Sequence, residues 1–183
     1  MGSLKAMLPW RGVTLIEHQI RSLIDAGVHQ VLVVLGHEAN RLKSIVDSAD
    51  GACWVVNTDY LAGKTTSIKT GVKCLTLLGT KQVVLLSVDQ PRNSNTVRTL
   101  LERHISLSNM ITIPTYHGKG GHPIILSESV LSEVANIEEE TQGLLEVVRH
   151  HAKETDRFEI DDPSLICDLN TPEEYQQALD AGI

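Results

Sequence analysis

Gln82-Val-Val-Leu-Leu-Ser-Val-Asp89-Gln-Pro91 is the most informative stretch of the chain. Val83 to Val88 are all apolar or small, and the run stops at a carboxylate. A short continuous apolar run reads as a strand covered on both faces, the pattern of a parallel sheet between helix layers. In open α/β sheets, ligands bind beyond the carboxyl ends of the strands. Asp89 is therefore carried to the place where a ligand crevice opens. A cap for the next helix, or a turn ahead of Pro91, would use the same residue, so position alone leaves both roles open.

The same alternation extends in both directions. Thr14 to Ala26 reads as an amphipathic helix, with Leu15, Ile16, Ile20, Leu23 and Ile24 on one face and Gly27 as its stop. Gln30 to Leu35 is a second apolar run ending at Gly36, followed by a helix over Glu38 to Asp47 and a strand over Cys53 to Val56. A polar loop from Asn57 to Ser67 leads into a helix over about Thr65 to Leu78. Beyond Asp89 the pattern predicts a helix at Thr96 to Ile105 and strands at Met110 to Thr115 and Ile124 to Leu126. Short helices are expected at Ser129 to Ala135 and Gln142 to His150. A weak strand near Phe158, a strand ending at Asp168, and a last helix from Pro172, capped by Thr171, complete the reading. Repeated strand–helix units imply an α/β fold of three layers, a mostly parallel sheet with helices on both faces. With no internal repeat and no linker, residues 1–183 are expected to form a single domain.

Composition removes several classes of function. The formal net charge is -7 without a long Lys/Arg run, so no nucleic acid partner is expected. Cys53, Cys74 and Cys167 are odd in number and widely spaced. That pattern fits neither a disulfide framework nor a structural zinc site, and a reducing, cytoplasmic setting is expected. No stretch reaches the roughly 18 apolar residues of a membrane span, and no His pair has the H-E-x-x-H spacing of a zinc hydrolase.

The residues to inspect are those just after each strand. They are Gly36-His37, the loop from Asn57 to Ser67, Asp89-Gln90-Pro91, Gly121-His122-Pro123 and Asp168-Leu169-Asn170. Acids, amides, glycines and hydroxyls in these places suit a phosphate-bearing ligand with a hard divalent cation such as Mg²⁺. Asp168 and Asn170 alternate along an extended segment, so their side chains share a face. They could bracket a metal with Asp89 or simply lead into the helix capped at Thr171. Lys5 on its own reads as a solvated surface charge. Gly63-Lys-Thr-Thr-Ser67 precedes a helix but lacks the first glycine of a phosphate loop, because Thr58 stands five residues before Gly63. It reads instead as a ligand-facing helix start.

Taken in order, these segments resemble the MobA-like nucleotidyltransferase family, in its molybdenum cofactor cytidylyltransferase branch. The carriers are Met1-Gly-Ser-Leu-Lys-Ala-Met-Leu-Pro-Trp10, Val33-Val-Leu-Gly-His37, Val56-Asn-Thr-Asp-Tyr60 with Gly63 to Gly71, Asp89-Gln-Pro91, Gly121-His-Pro123 and Asp168-Leu-Asn-Thr-Pro-Glu-Glu174. The resemblance covers nearly the whole chain. It implies a Rossmann-like fold and a Mg²⁺-dependent reaction in which an acceptor phosphate attacks the α-phosphorus of a nucleoside triphosphate and pyrophosphate leaves. By this resemblance CTP is the favoured nucleotide, a molybdopterin-type cofactor the acceptor, and a molybdenum hydroxylase a further partner. Asp89 would be the principal metal ligand and Lys5 would meet the triphosphate. Asp168 and Asn170 would form the second metal-proximal motif. Gly36, Asn57, Gly63 and Ser67 would line the nucleotide pocket, and Gly121, His122 and Pro123 the acceptor side.

One departure from the family pattern carries its own expectation. The family opens with an apolar strand and a loop of the form L-A-A-G-x-S-x-R-M-G-x-x-K, whereas this sequence runs from Met1-Gly2 straight to Lys5. The first strand and its signature loop, roughly 15 to 20 residues, are expected to be absent. Because Met1, Gly2 and Lys5 fall in family register, a start placed at an internal methionine or a broken gene explains this better than an added tag. The chain as written is expected to be poorly stable or inactive. Two other readings stay open: transfer to a sugar phosphate or another small phosphate, and a non-catalytic carrier that inserts molybdenum cofactor into a hydroxylase.

Overall fold

The structure is a computed structural model and describes residues 4–183. Met1, Gly2 and Ser3, which belong to the resembling N-terminal segment, lie outside the described residues. A 3₁₀ turn at Lys5–Met7 leads into a short antiparallel pair, β1 (Pro9–Trp10) and β2 (Val13–Thr14). α1 (Leu15–Asp25) follows. Its start is fixed by a capping box in which Thr14 and Glu17 exchange side-chain and backbone hydrogen bonds. β3 (Val31–Leu35), α2 (Ala39–Asp47) and β4 (Ala52–Val56) form a βαβ unit, with Val31 opposite Ala52 and Leu35 opposite Val56 in parallel register. α3 (Lys64–Leu77) then leads to β5 (Gln82–Leu85) and α4 (Ser94–Leu107).

The second half departs from pure alternation. β6 (Ile111–Tyr116) turns through His117 and Gly118 into β7 (Lys119–Gly120), and β8 (Ile124–Ser127) runs back between β5 and β6. α5 (Glu128–Val134) and α6 (Leu144–His150) precede β9 (Thr155–Glu159), which pairs with β6 in parallel. α7 (Pro172–Asp180) ends the chain behind the predicted Thr171 cap.

The three-layer α/β architecture follows the sequence pattern. α1, α2 and α4 cover one face of the strands around Ile16, Ile20, Leu35, Val46 and Val97. α3, α5 and α6 cover the other around Val72, Ile111, Leu131 and Val147. Among the described residues no helix is long and apolar enough to cross a membrane.

Two expectations need correction. The sheet is mixed rather than mostly parallel, because β8 pairs antiparallel with both β5 and β6. A chain that turns back through a tight connection can only lie antiparallel to the strand it leaves. The strand expected to end at Asp168 is instead a 3₁₀ turn, Pro163–Ile166, followed by extended residues. Pro163 has no N–H for a ladder, and the Asp162 side chain accepts from the Ser164 N–H, which favours a turn.

Candidate active site

The carboxyl ends of β3 and β5 meet at one pole of the molecule. Of the residues predicted for the site, Gly36, Ser67, Asp89, Gly121, His122 and Asp168 line a common cavity there. Lys5 and Asn170 join them through side-chain contacts. The Lys5 Nζ donates to Asp89 Oδ2 at 3.0 Å and to Asn170 Oδ1 at 3.0 Å. Lys5 is thus not a free surface charge. Its 3₁₀ turn holds the ammonium between an acid and an amide that lie 84 and 165 residues away in sequence.

The backbone beneath this cluster is pinned. Leu169, fully buried against Trp10, Leu15 and Ala178, anchors the segment that carries Asp168 and Asn170. The Leu169 N–H donates to the Asp89 carbonyl at 2.8 Å, which ties the two acid-bearing loops side by side. From α1, Gln19 donates to the Ser87 and Gln90 carbonyls at 3.0 and 2.6 Å, and Ser22 donates to the Arg92 carbonyl at 2.6 Å. The turn after β5 is therefore set by a helix whose own start is fixed by a capping box.

A second group stands beside the first. The Gln90 amide nitrogen donates to Asp168 Oδ1 at 2.8 Å and to His122 Nδ1 at 3.0 Å, while its oxygen accepts from the Ser87 N–H at 3.3 Å. An ionised carboxylate only accepts, so the NH₂ end of Gln90 faces Asp168, and the imidazole that accepts its other proton carries hydrogen on Nε2. Burial, then the nearby Arg92 charge, holds His122 below the ordinary histidine pKa, which keeps the ring neutral. His122 precedes Pro123 through a cis peptide bond. Gly121 is required by space: a Cβ there would lie 2.9 Å from the carbonyl carbon of Leu165.

Arg92 underlies both groups. Its side chain is fully buried, and it donates to four carbonyls: His122 at 2.8 Å, Pro91 at 2.8 Å, Leu165 at 2.9 Å and Cys167 at 3.1 Å. Burial lowers its pKa to about 10, and it stays charged at neutral pH. One guanidinium thus fastens together the segments that carry Gln90, His122 and Asp168.

Other predicted residues have supporting places. Asn57 is buried, and its amide donates to Thr66 and Ser67 hydroxyls at 2.8 and 2.9 Å while its oxygen accepts from the Asp59 N–H at 2.9 Å. It shapes the loop before α3 with its polar atoms already engaged. Gly36 leaves room for Tyr60, whose Cβ would be 2.8 Å from a side chain there. Gly63, at φ 109°, abuts the Glu139 carboxylate, which accepts from the Thr65 N–H at 3.2 Å. Gln90, Arg92 and Gln19 were not assigned roles from sequence. Gln90 and Arg92 flank Pro91 in a stretch that already stood out, but nothing local shows that an arginine in a turn is buried.

The donors present are hard oxygens on Asp89, Asp168 and Asn170. Among the described residues no three acid, histidine or cysteine side chains converge as a closed metal cage. This set fits a Mg²⁺-type ion, which binds through one or two carboxylates and completes its shell with water and substrate phosphate.

An α/β fold that presents carboxylates, an ammonium and a neutral imidazole at the carboxyl ends of its strands suits a transferase that handles a phosphate-bearing ligand. Residues 1–155 match the MobA-like NTP transferase domain, and the chain belongs to that family of nucleotidyltransferases. It is 28% identical over 180 residues to the molybdenum cofactor cytidylyltransferase of Escherichia coli (strain K12), covering 96% of this chain and 86% of the relative. It is also 28% identical over 184 residues to the nicotine blue oxidoreductase of Paenarthrobacter nicotinovorans, covering 96% of this chain and 87% of the relative. Among solved structures, Rv0371c from Mycobacterium tuberculosis H37Rv superposes with a TM-score of 0.79 at 23% identity, covering 98% of this chain and 90% of that one. A structure of the same protein is a complex with manganese.

Proposed function

We propose that the chain transfers the CMP moiety of CTP to the phosphate of a molybdopterin-type acceptor, with Mg²⁺ and with release of pyrophosphate. The observation that carries this reading is the Lys5–Asp89–Asn170 cluster lying against the Gln90–His122–Asp168 group at the strand ends. The similarity to the E. coli cytidylyltransferase along 96% of the chain supports the choice of nucleotide and acceptor.

In this reaction an acceptor phosphate oxygen bonds to the α-phosphorus, and the bond to the bridging oxygen of the β-phosphate breaks. Negative charge grows on the α- and β-phosphate oxygens, so fixed positive groups and donors must already stand there. Asp89 and Asp168, with the Asn170 oxygen, would hold the Mg²⁺, which would neutralise phosphate charge when bound. Lys5 offers a second cation whose ammonium, held by Asp89 and Asn170, is free to add a phosphate oxygen as its third partner. His122 keeps its Nε2 proton and serves as a neutral donor on the acceptor side. Gln90 keeps that ring in register with Asp168.

Pyrophosphate release with CTP, GTP and a molybdopterin acceptor tests the reading. CTP-dependent turnover is expected, in place of the inactivity expected from the sequence, because Lys5, Asp89 and Asp168 are already held together in the folded chain. Asp89→Asn should reduce kcat/KM by about 100-fold or more with little change in stability, because the Lys5–Asp89 ion pair is still partly exposed to solvent and such a pair contributes ~1 kcal/mol or less. Turnover with a sugar phosphate alone, or an Asp89→Asn variant as active as the parent chain, would overturn it.

A further inference from the structure

Cys53, Cys74 and Cys167 are all free thiols, and the first two share one corner of the fold. Cys53 lies on β4, which among the described residues pairs with β3 alone. Cys74 lies on α3, the helix that follows β4 and returns over it. Both residues are partly buried.

The face of β4 that carries Cys53 is fixed by its neighbours. The Gln30 amide, just before β3, donates to Cys53 Sγ at 3.5 Å. Cys53 stands opposite Leu32 in the parallel register, and Val55 opposite Val34. The Asn57 N–H continues the ladder by donating to the Leu35 carbonyl at 2.8 Å. Side chains alternate along a strand, so Cys53, Val55 and Asn57 point to one face. That face looks toward α3. Asn57 donates to the Ser67 hydroxyl at 2.9 Å, and Val34 Cγ2 would be 3.0 Å from a Cβ at Gly71.

The helix puts Cys74 on the matching stripe. Ser67 and Cys74 are seven residues apart, about 20° short of two full turns, so they project from the same side of α3 about 10 Å apart. α3 runs back along the strands, from Ser67 beside Asn57 to Gly71 beside Val34, whose register partner is Val55. Cys53 lies four residues before Asn57, about 13 Å along β4. Cys74 is thus carried to the level of Cys53, on the side that faces it. The two sulfurs also sense each other: burial, then the Cys74 charge, pushes the Cys53 thiol above its ordinary pKa. Cys167 belongs to another region, where its carbonyl accepts from Arg92.

We propose that Cys53 and Cys74 form a reversible redox site, closing to a disulfide between β4 and α3 on exposure to a peroxide and reopening with a dithiol. One thiolate attacks a peroxide oxygen, the O–O bond breaks, and a sulfenic acid and water result. The second thiol displaces the sulfenic oxygen as another water, and the S–S bond forms. The two sulfurs together lose two electrons, and the peroxide oxygens take them. The bond encloses residues 54–73. It ties the strand before the Asn57–Gly63 loop to the helix after it, and so fastens the base of a loop at the candidate site. Such a bond opens in reducing surroundings, unlike one in a structural framework. The inference rests on strand register and helix stripe, and stands whatever reaction the site performs.

The test treats the folded full chain with hydrogen peroxide, quenches it in acid, and maps tryptic peptides without reduction. Trypsin cuts after Lys64 and Lys73, so the two cysteines fall in separate peptides. The chain should lose two hydrogens in mass, and one bridged species, Cys53 to Cys74, should appear and vanish with dithiothreitol. The same treatment in urea should give all three pairings, and Cys74→Ser should give no bridge to Cys53 within the folded chain. Amide exchange over residues 57–63 should be slower in the oxidised chain than in the reduced one, and equal in both states of Cys74→Ser. A folded chain that bridges through Cys167, or links two copies through either cysteine, overturns the proposal. So does oxidation of Cys53 and Cys74 to sulfinic acids without a bridge, or no reaction at either. A bridge that leaves exchange over 57–63 unchanged overturns the fastening of the loop.

Discussion

The turn after β5 and the body of β5 itself are a few residues apart, yet they are built in opposite ways. At Gln90 and Arg92 nearly every polar atom has a partner: one amide serves an acid, a ring and a backbone N–H, and one guanidinium serves four carbonyls. At Val84 and Leu85 the side chains are only partly buried, and they line a slot of about 1850 Å³ between β3 and β5. The chemistry-bearing pole is rigid because its hydrogen bonds close on themselves. Behind it, among the described residues, β3 pairs with β4 alone and β5 with β8 alone. Substitutions should therefore be costly at the pole and cheap at the slot.

The largest expected effect is at Arg92. Arg92→Met keeps the bulk of the side chain but takes a donor from four buried or part-buried carbonyls, of which Leu165 alone keeps a second one, from the His122 N–H, and should lower stability by about 3–5 kcal/mol in urea unfolding. Val84→Ala, on the slot rim, should cost about 1 kcal/mol or less. Similar losses at the two positions would break the contrast. A smaller version of the same contrast uses two glycines. Gly121→Ala drives a methyl against the Leu165 backbone, whose carbonyl already accepts from His122 and Arg92, and should cost about 1–3 kcal/mol. Gly71→Ala meets only Val34 Cγ2, at 3.0 Å. Val34 can yield into the slot, and alanine is the better helix former by about 1 kcal/mol. That variant should be neutral or stabilising by the same measurement.

What could be read from the residues follows the same division. The βαβ unit of β3, α2 and β4, the Gly27 stop of α1, the Thr171 cap of α7, and Asp89 at a strand end were legible because each rests on a local signal: periodicity, a helix-ending glycine, a threonine before proline, an apolar run. The mixed pairing was not: Val31–Leu35 and Val83–Val88 read alike as strands covered on both faces, with nothing local to say which strands lie beside them. Nor was the company of Asp89 local. Lys5 and Arg92 look like ordinary surface cations in sequence, and only tertiary folding brings one to Asn170 and buries the other. The strand expected before Asp168 failed for a local reason that was visible: Asp162-Pro163-Ser164 is turn chemistry.

The smallest effect is one of pH, and it separates the two regions most cleanly. Burial holds His18, His104 and His122 below the ordinary histidine pKa; at His122 the Arg92 charge adds to it. Each of these rings is neutral in the folded chain at a pH where the unfolded chain has begun to protonate it. The unfolded state then binds more protons, so stability rises with pH across that window. Their contribution is complete above the unfolded value of about 6.5 and is lost as pH falls from there through the folded values. Carboxylates such as Asp162 lose theirs in a separate, more acidic window: burial pushes it up, but hydrogen bonds from Thr96 and Ser164 hold it below its usual range. Urea unfolding between pH 8 and pH 5.5 should show stability declining toward acid, by at most ~1.4 kcal/mol per pH unit for each histidine. His122→Asn should flatten the slope, since asparagine does not titrate. β3 and β5 carry no titratable group among Val31–Leu35 and Gln82–Leu85, so Gly71→Ala should shift the whole curve and leave its slope unchanged. A slope altered by Gly71→Ala, or untouched by His122→Asn, would mean that the pole and the slot are not independent after all.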